Sequence, residues 1–210
     1  GSISIGTGTA SGGYGGAIYA ADGQPTVLIS EISSFKDNLA HGSGGAVYLR
    51  NAKLVDHSSM YNMNTAGYDG GALSLHSGSF SFFNSSLVSN TAGRRGGGIN
   101  IYGYSSASSF LDMSSVTLQS NKQIDGGTSG WKGGGGLYLQ RKVTANIREC
   151  TFIRNEATTG STGNKHGHQV FTLKSSSGTP SIAIVNTNFT DVSGSHPFYG
   201  RDGSSSTHGT

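Results

Sequence analysis

Tyr61-Asn62-Met63-Asn64-Thr65-Ala66-Gly67-Tyr68-Asp69-Gly70-Gly71-Ala72-Leu73-Ser74-Leu75 is the stretch from which the fold is read. It holds an apolar residue, two spacers and Asn, then, six residues beyond the Asn, a glycine pair followed by a small and an aliphatic residue. The glycine half recurs at Gly15-Gly16-Ala17-Ile18, Gly44-Gly45-Ala46-Val47, Gly96-Gly97-Gly98-Ile99 and Gly133-Gly134-Gly135-Gly136-Leu137, with a degenerate copy at Gly167-His168-Gln169-Val170. The Asn half recurs at Phe35-x-x-Asn38, Leu87-x-x-Asn90, Leu118-x-x-Asn121 and Phe152-x-x-Asn155, and Phe189-x-x-Val192 echoes it without the Asn. Self-similarity at 20 to 50 residues marks a repeat architecture.

Between these motifs lie short extended runs. In one unit Gly44-Gly45-Ala46-Val47-Tyr48-Leu49 leads to Ala52-Lys53-Leu54-Val55-Asp56 and then to Ser59-Met60-Tyr61. Three such stretches with turns between them make one coil of a parallel β-helix. Alternation such as Ser79-Phe80-Ser81-Phe82 sends every second side chain inward. The expected fold is all-β, a right-handed parallel β-helix (β-solenoid) of about six coils. It forms a single domain over 1–210, with an N-terminal strand or arm at 1–11, coils over 12–192, and a C-terminal turn and polar tail over 193–210.

Composition agrees. One sixth of the residues are Gly and only three are Glu, so strong helix formers are scarce. A hydrophobic fraction of 33% is thin for an ordinary globule, but each coil of a solenoid needs only a few inward apolar residues. The glycine pairs belong where the chain turns with positive φ or where stacked backbones leave no room for a Cβ. Asn38, Asn64, Asn90, Asn121 and Asn155 are expected to form a structural turn ladder, adopting the left-handed conformation and passing amide hydrogen bonds from rung to rung.

The Asn-to-glycine interval is six residues in the first three units but 13 from Asn121 to Gly134 and 12 from Asn155 to Gly167. The two insertions fall at the same turn of consecutive coils, which predicts two loops side by side on one edge, the usual place for a solenoid's binding surface. Trp131 lies in the first, and Tyr102 and Tyr104 lie in a smaller bulge at another turn. These three are the candidate binding-loop residues, as sugar-stacking side chains.

The alternation of Gly-Gly-Ala-Ile/Val/Leu with Phe-x-x-Asn resembles the repeat of the chlamydial polymorphic outer-membrane proteins and other pectate-lyase-like right-handed β-helices, over roughly residues 12 to 192. The resemblance implies a surface-exposed adhesin or passenger domain. The chain departs from that family in having one cysteine, Cys150, and no C-terminal segment resembling a membrane barrel.

Many right-handed β-helices cleave polysaccharides, which needs paired carboxylates or several Asp around Ca²⁺. Only 11 residues are acidic, and Asp37, Asp56, Asp69 and Asp112 fall at different points of the coil. No enzyme and no cofactor is expected, although a polysaccharide lyase or hydrolase remains the alternative that Ca²⁺-dependent release of unsaturated sugars would reveal. His166 and His168 form the sole His pair with one spacer and are the weak metal candidates. The run Gly133 to Gly136 is followed by a strand-like Leu137-Tyr138-Leu139-Gln140 rather than a helix N-terminus, so it is no phosphate cradle. Apart from Arg94-Arg95 and Arg141-Lys142 the basic residues are scattered singly and give no nucleic-acid footprint, and no apolar run reaches the roughly 18 residues of a membrane span.

The unpaired strands at the two ends of a solenoid invite docking. Ile3 and Ile5 near one end, and Phe198 and Tyr199 near the other, are the self-assembly candidates, by strand addition between copies. Asn84 and Asn188 stand in Asn-x-Ser/Thr sequons and are candidate glycosylation sites. The expectation is an extracellular or cell-surface structural and adhesive protein whose partners are copies of itself in a filament or fibre. The alternative is a carbohydrate-binding adhesin module that takes surface glycans.

Overall fold

The computed structural model describes residues 4–5, 9–10, 13–21, 26–29, 33–104, 107–124, 133–158, 168–176, 178–190 and 198–201. Among them every regular element is a β-strand, and every pairing between named strands is parallel. The strands form three sheets in a curled, solenoid-like arrangement. No helix among the described residues is long and apolar enough to cross a membrane.

The register reproduces the repeat. Tyr61 lies opposite Phe35 and Leu87, Leu118 opposite Leu87 and Phe152, and Phe189 opposite Phe152, so the apolar residue of each Asn motif stacks on its counterpart in the next unit. The same holds along Ile18, Val47, Leu73, Ile99, Leu137 and Val170. These columns fill one continuous core in which Phe35 and Tyr61 stack 4.7 Å apart, inclined by only 5°. Offset or parallel ring contacts of this kind add to the area they bury.

Each unit contributes more than the three stretches that patterning predicts. A two-residue strand follows each ladder Asn, as at Thr65–Ala66, Thr91–Ala92 and Lys122–Gln123, and these short strands form a sheet of their own. Their brevity hides them from any periodicity. Elsewhere two runs merge: Val47–His57 and Leu73–Phe83 continue round a corner, which passes through left-handed Asn51 in the first and Ser77 in the second. Pairing also reaches beyond 12–192 on both sides. Ser4–Ile5 pairs with Ser34–Lys36 and Thr9–Ala10 with Leu39–Ala40. Phe198–Arg201, expected as a turn, is a strand paired with Val170–Leu173.

The asparagines form a ladder, though not in the conformation expected. The left-handed residue is the one before each Asn (Asp37, Met63, Ser89, Ser120 and Arg154), and that turn swings the Asn side chain inward, where it is buried. Asn90 Nδ2 donates to Asn121 Oδ1 at 2.9 Å and to the Tyr61 carbonyl at 2.9 Å, while its Oδ1 accepts from Asn64 Nδ2 and from the Asn64 backbone N–H. Both amide donors and both acceptor lone pairs are thus used, which removes the cost of burying the group. Asn38, Asn64, Asn121 and Asn155 continue the series. It ends on Gln169, whose Oε1 accepts from Asn155 Nδ2 and whose Nε2 donates to the Thr190 carbonyl.

The glycine pairs divide the two roles. In Gly70-Gly71 the first residue has φ +69, and a Cβ on the second would lie 2.1 Å from the Gly97 carbonyl oxygen of the next rung. The rungs therefore stack closely at this corner only without side chains. Asn90→Ala, which orphans buried groups of Asn64 and Tyr61, should cost about 3 kcal/mol in urea unfolding, and Gly71→Ala should lower the thermal midpoint by at least as much as Asn90→Ala. A near-neutral Asn90→Ala would show that the ladder contributes little.

Candidate functional site

On the outer face of the strands that follow the glycine pairs, the second strand position forms the column Tyr19, Tyr48, Ser74, Asn100, Tyr138, Phe171. The fourth position, where the side chains again leave the core face, forms Ala21, Arg50, His76, Tyr102, Gln140, Leu173. The two columns bring together side chains that are far apart in sequence. Tyr14 and Tyr19 lie 4.6 and 5.5 Å from Tyr48, ring to ring, and Tyr48 lies 5.1 Å from His76. His76 in turn lies 5.5 Å from Tyr102 and 6.1 Å from Tyr104, and those two tyrosines meet edge to face. An unbroken stripe of rings thus runs across four successive units. Tyr14 and Tyr19 are 46% and 56% exposed at one end, and Tyr102 and Tyr104 are half-buried at the other.

Arginines flank the rings. The guanidinium carbon of Arg141 sits 4.5 Å above the Tyr102 ring, that of Arg94 4.4 Å above Tyr68, and that of Arg95 5.7 Å from Tyr138. Such contacts hold a planar cation in a set orientation. Asp69 is buried between two of them, with Oδ2 3.1 Å from Arg94 and 3.6 Å from Arg95. The polar floor is Ser74 and Asn100. Asn100 Nδ2 donates to Ser74 Oγ, and Ser74 Oγ lies 3.0 Å from His76 Nε2. Asn100 Oδ1, His76 Nδ1 and Asp69 Oδ1 are buried without a hydrogen-bond partner. Buried polar atoms are ordinarily satisfied, so each of these three can take a hydrogen bond from, or give one to, a group outside the chain.

Of the residues singled out from the sequence, Tyr102 and Tyr104 come together here, joined by rings that the sequence reading passed over. Aligning the units would have found them, because Tyr19, Tyr48, Tyr138 and Phe171 all stand one residue after the aliphatic that follows the glycine motif. Trp131, His166 and Ile3 lie outside the described residues. His168 Nδ1 accepts a 3.3 Å hydrogen bond from the Ala157 N–H, which is a structural use of that ring, and the described residues hold no group of three or more potential metal ligands. Ile5 belongs to a strand with one edge already paired within the chain, as do Phe198 and Tyr199. Asn84 and Asn188 are exposed.

Two buried titratable groups oppose each other. Burial lowers His76 to about 4, helped by Arg50 and Arg95, so the imidazole within the stripe is neutral. Inside the core, Asp56 occupies a column otherwise filled by Ile29, Phe82, Met113, Ile147 and Ile184. Burial raises its pKa to about 6 against hydrogen bonding from the Ser59 hydroxyl. Tyr61 lies close enough for each group to perturb the other, yet Asp56 Oδ2 and the Tyr61 hydroxyl complete no hydrogen bond of normal geometry.

The folded state holds a proton on Asp56 that the unfolded chain releases near pH 4, so this group costs stability as pH rises from about 4 to about 6. His76 acts the other way: the unfolded chain gains a proton near pH 6.5 that the folded state refuses until about pH 4, so stability falls as pH drops through that window. Each effect is on the order of 3 kcal/mol, and they nearly cancel. Asp56→Asn should therefore unmask a stability that rises from pH 4 to 6.5, and His76→Gln one that falls, in urea titrations across that range. Parallel profiles for both variants and the parent would refute the assignment.

Comparison with known proteins gives this chain no relative: no family model, no curated protein and no solved structure matches it.

Proposed function

We propose that the chain is a non-enzymatic, right-handed parallel β-helix of about six coils, displayed outside the cell or at its surface, that adheres to glycans through the ring stripe. The observation that carries this reading is the run of contacts from Tyr14 and Tyr19 through Tyr48 and His76 to Tyr102 and Tyr104. The exposed rings of Tyr14 and Tyr19 and the half-buried ones of Tyr102 and Tyr104 can cover the apolar side of a sugar, while Tyr48, itself buried, joins the two ends. The neighbouring Asn100, Asp69 and His76 supply the few placed polar groups that give orientation. The repeat's resemblance to the chlamydial polymorphic outer-membrane passenger domains points the same way, and Asn84 and Asn188 suit a glycosylated surface protein. Tyr19→Ala and Tyr102→Ala should each weaken binding to the recognised glycans on an array by about tenfold with little change in thermal midpoint, and Trp131→Ala tests the insertion that the sequence singles out. A folded parent that binds no glycan would sink the proposal.

A second reading, end-to-end assembly, has its own observation. In the strand Ser181–Val185, Ile184 continues the core column of Phe82 and Ile147 yet is 37% exposed, and Val185 is 50% exposed. Among the described residues the core is partly exposed at that end, and a second copy or a further coil would cover it. Six coils at about 4.8 Å give an axial rise of about 30 Å per subunit, which filaments in negative-stain micrographs should show and Ile184→Asp should abolish. A parent that sediments as a monomer at high concentration excludes this reading.

A further inference from the structure

We propose that the saccharide taken by the stripe is an acidic one, its carboxylate or sulfate groups held by Arg141 and Arg94; this rests on the glycan reading above. Arg141 lies over Tyr102, Arg50 and Arg95 act on His76 within the stripe, and Arg94, over Tyr68, is joined to Arg95 through Asp69, the described acid that both meet. His76 adds no charge of its own, since it is held neutral. The guanidinium of Arg141 lies over Tyr102 with no carboxylate paired to it among the described residues, and its Nε–H is buried without an acceptor. The Nε–H of Arg94, clamped on Tyr68, is in the same state. A buried guanidinium N–H without a partner is costly, and the group that satisfies it best is an anionic oxygen pair, which matches the fork of donors.

The other unsatisfied atoms separate an acidic sugar from a bare anion. Asn100 Oδ1 and Asp69 Oδ1 accept hydrogen bonds and have none. Phosphate or sulfate ion would offer them few or no donors and would be repelled by Asp69. A sugar acid carries both kinds of group, with hydroxyls to donate to Asn100 and Asp69 and acidic oxygens to accept from the arginines. The rings between them take its apolar face.

Calorimetric titration of the whole chain with four hexasaccharides of one backbone tests this: chondroitin, chondroitin 6-sulfate, and the carboxyl-reduced form of each. The acid-bearing members should bind at least about tenfold more tightly than the neutral one at low salt, with affinity falling as salt rises. The tighter of the two singly functionalised forms identifies the preferred acid. Arg141→Gln and Arg94→Gln should each remove most of that preference, while Lys53→Gln, which deletes an exposed charge elsewhere, should leave it intact. If the neutral hexasaccharide binds as tightly as the acidic ones, the inference falls and the glycan reading stands. If Lys53→Gln weakens binding as much as Arg141→Gln, the attraction is one of net charge and the assigned site is wrong. If none of the four binds, and the array is also blank, both readings fall.

Discussion

The structure depends on the close, in-register stacking of one rung on the next. Parallel strands about 4.8 Å apart satisfy their backbone groups only with neighbours from adjacent units, so each rung is incomplete alone. Wherever the chain turns inward, a polar group must either be left out of the core or be satisfied along the axis. The asparagine ladder takes the second course: each amide uses its neighbours above and below, and at the last step Gln169 substitutes for the missing Asn. The glycine pairs permit the approach that makes those hydrogen bonds short. Neither element works without the other, because a Cβ at Gly71 or Gly97 would push apart the rungs that the amides join.

The same stacking explains why the outer face became a site. Columns of equivalent positions bring residues 26 or more apart in sequence to adjacent rungs, so rings from four successive units become a stripe. The column is interrupted by Ser74 and Asn100, and it is there that His76 and the unsatisfied Asn100 Oδ1 lie. Burial, helped by the charges of Arg50 and Arg95, keeps His76 neutral. Polarity, charge and aromatic surface are thereby concentrated on one face, while the opposite side of the same strands is plain aliphatic core.

Asp56 is the exception that the packing tolerates. It stands among Ile29, Phe82 and Met113, where every neighbouring rung places an apolar side chain. A carboxyl there is neutral more readily than ionised, since desolvation outweighs the help of Ser59. Between about pH 4 and 6 its effect on stability therefore runs opposite to that of the neutral His76 on the outer face.

The sequence by itself determined the repeat, the parallel pairing it implies and the inward columns, because the Phe-x-x-Asn and Gly-Gly spacing recurs in order and admits few other stackings. It also marked Asn38 through Asn155 and the glycine pairs, though it put the left-handed turn on the Asn rather than on the residue before it. Only the tertiary structure decided which outward residues meet. Tyr48 and His76 are unremarkable along the chain, Tyr102 stands out only as part of a bulge, and Arg94 and Arg141 read as members of two short basic pairs. Register turns them into neighbours, since a shift of one residue would send every one of these side chains to the other face. Short strands such as Thr65–Ala66 were equally illegible, because two residues carry no period and their pairing is set by the rungs on either side.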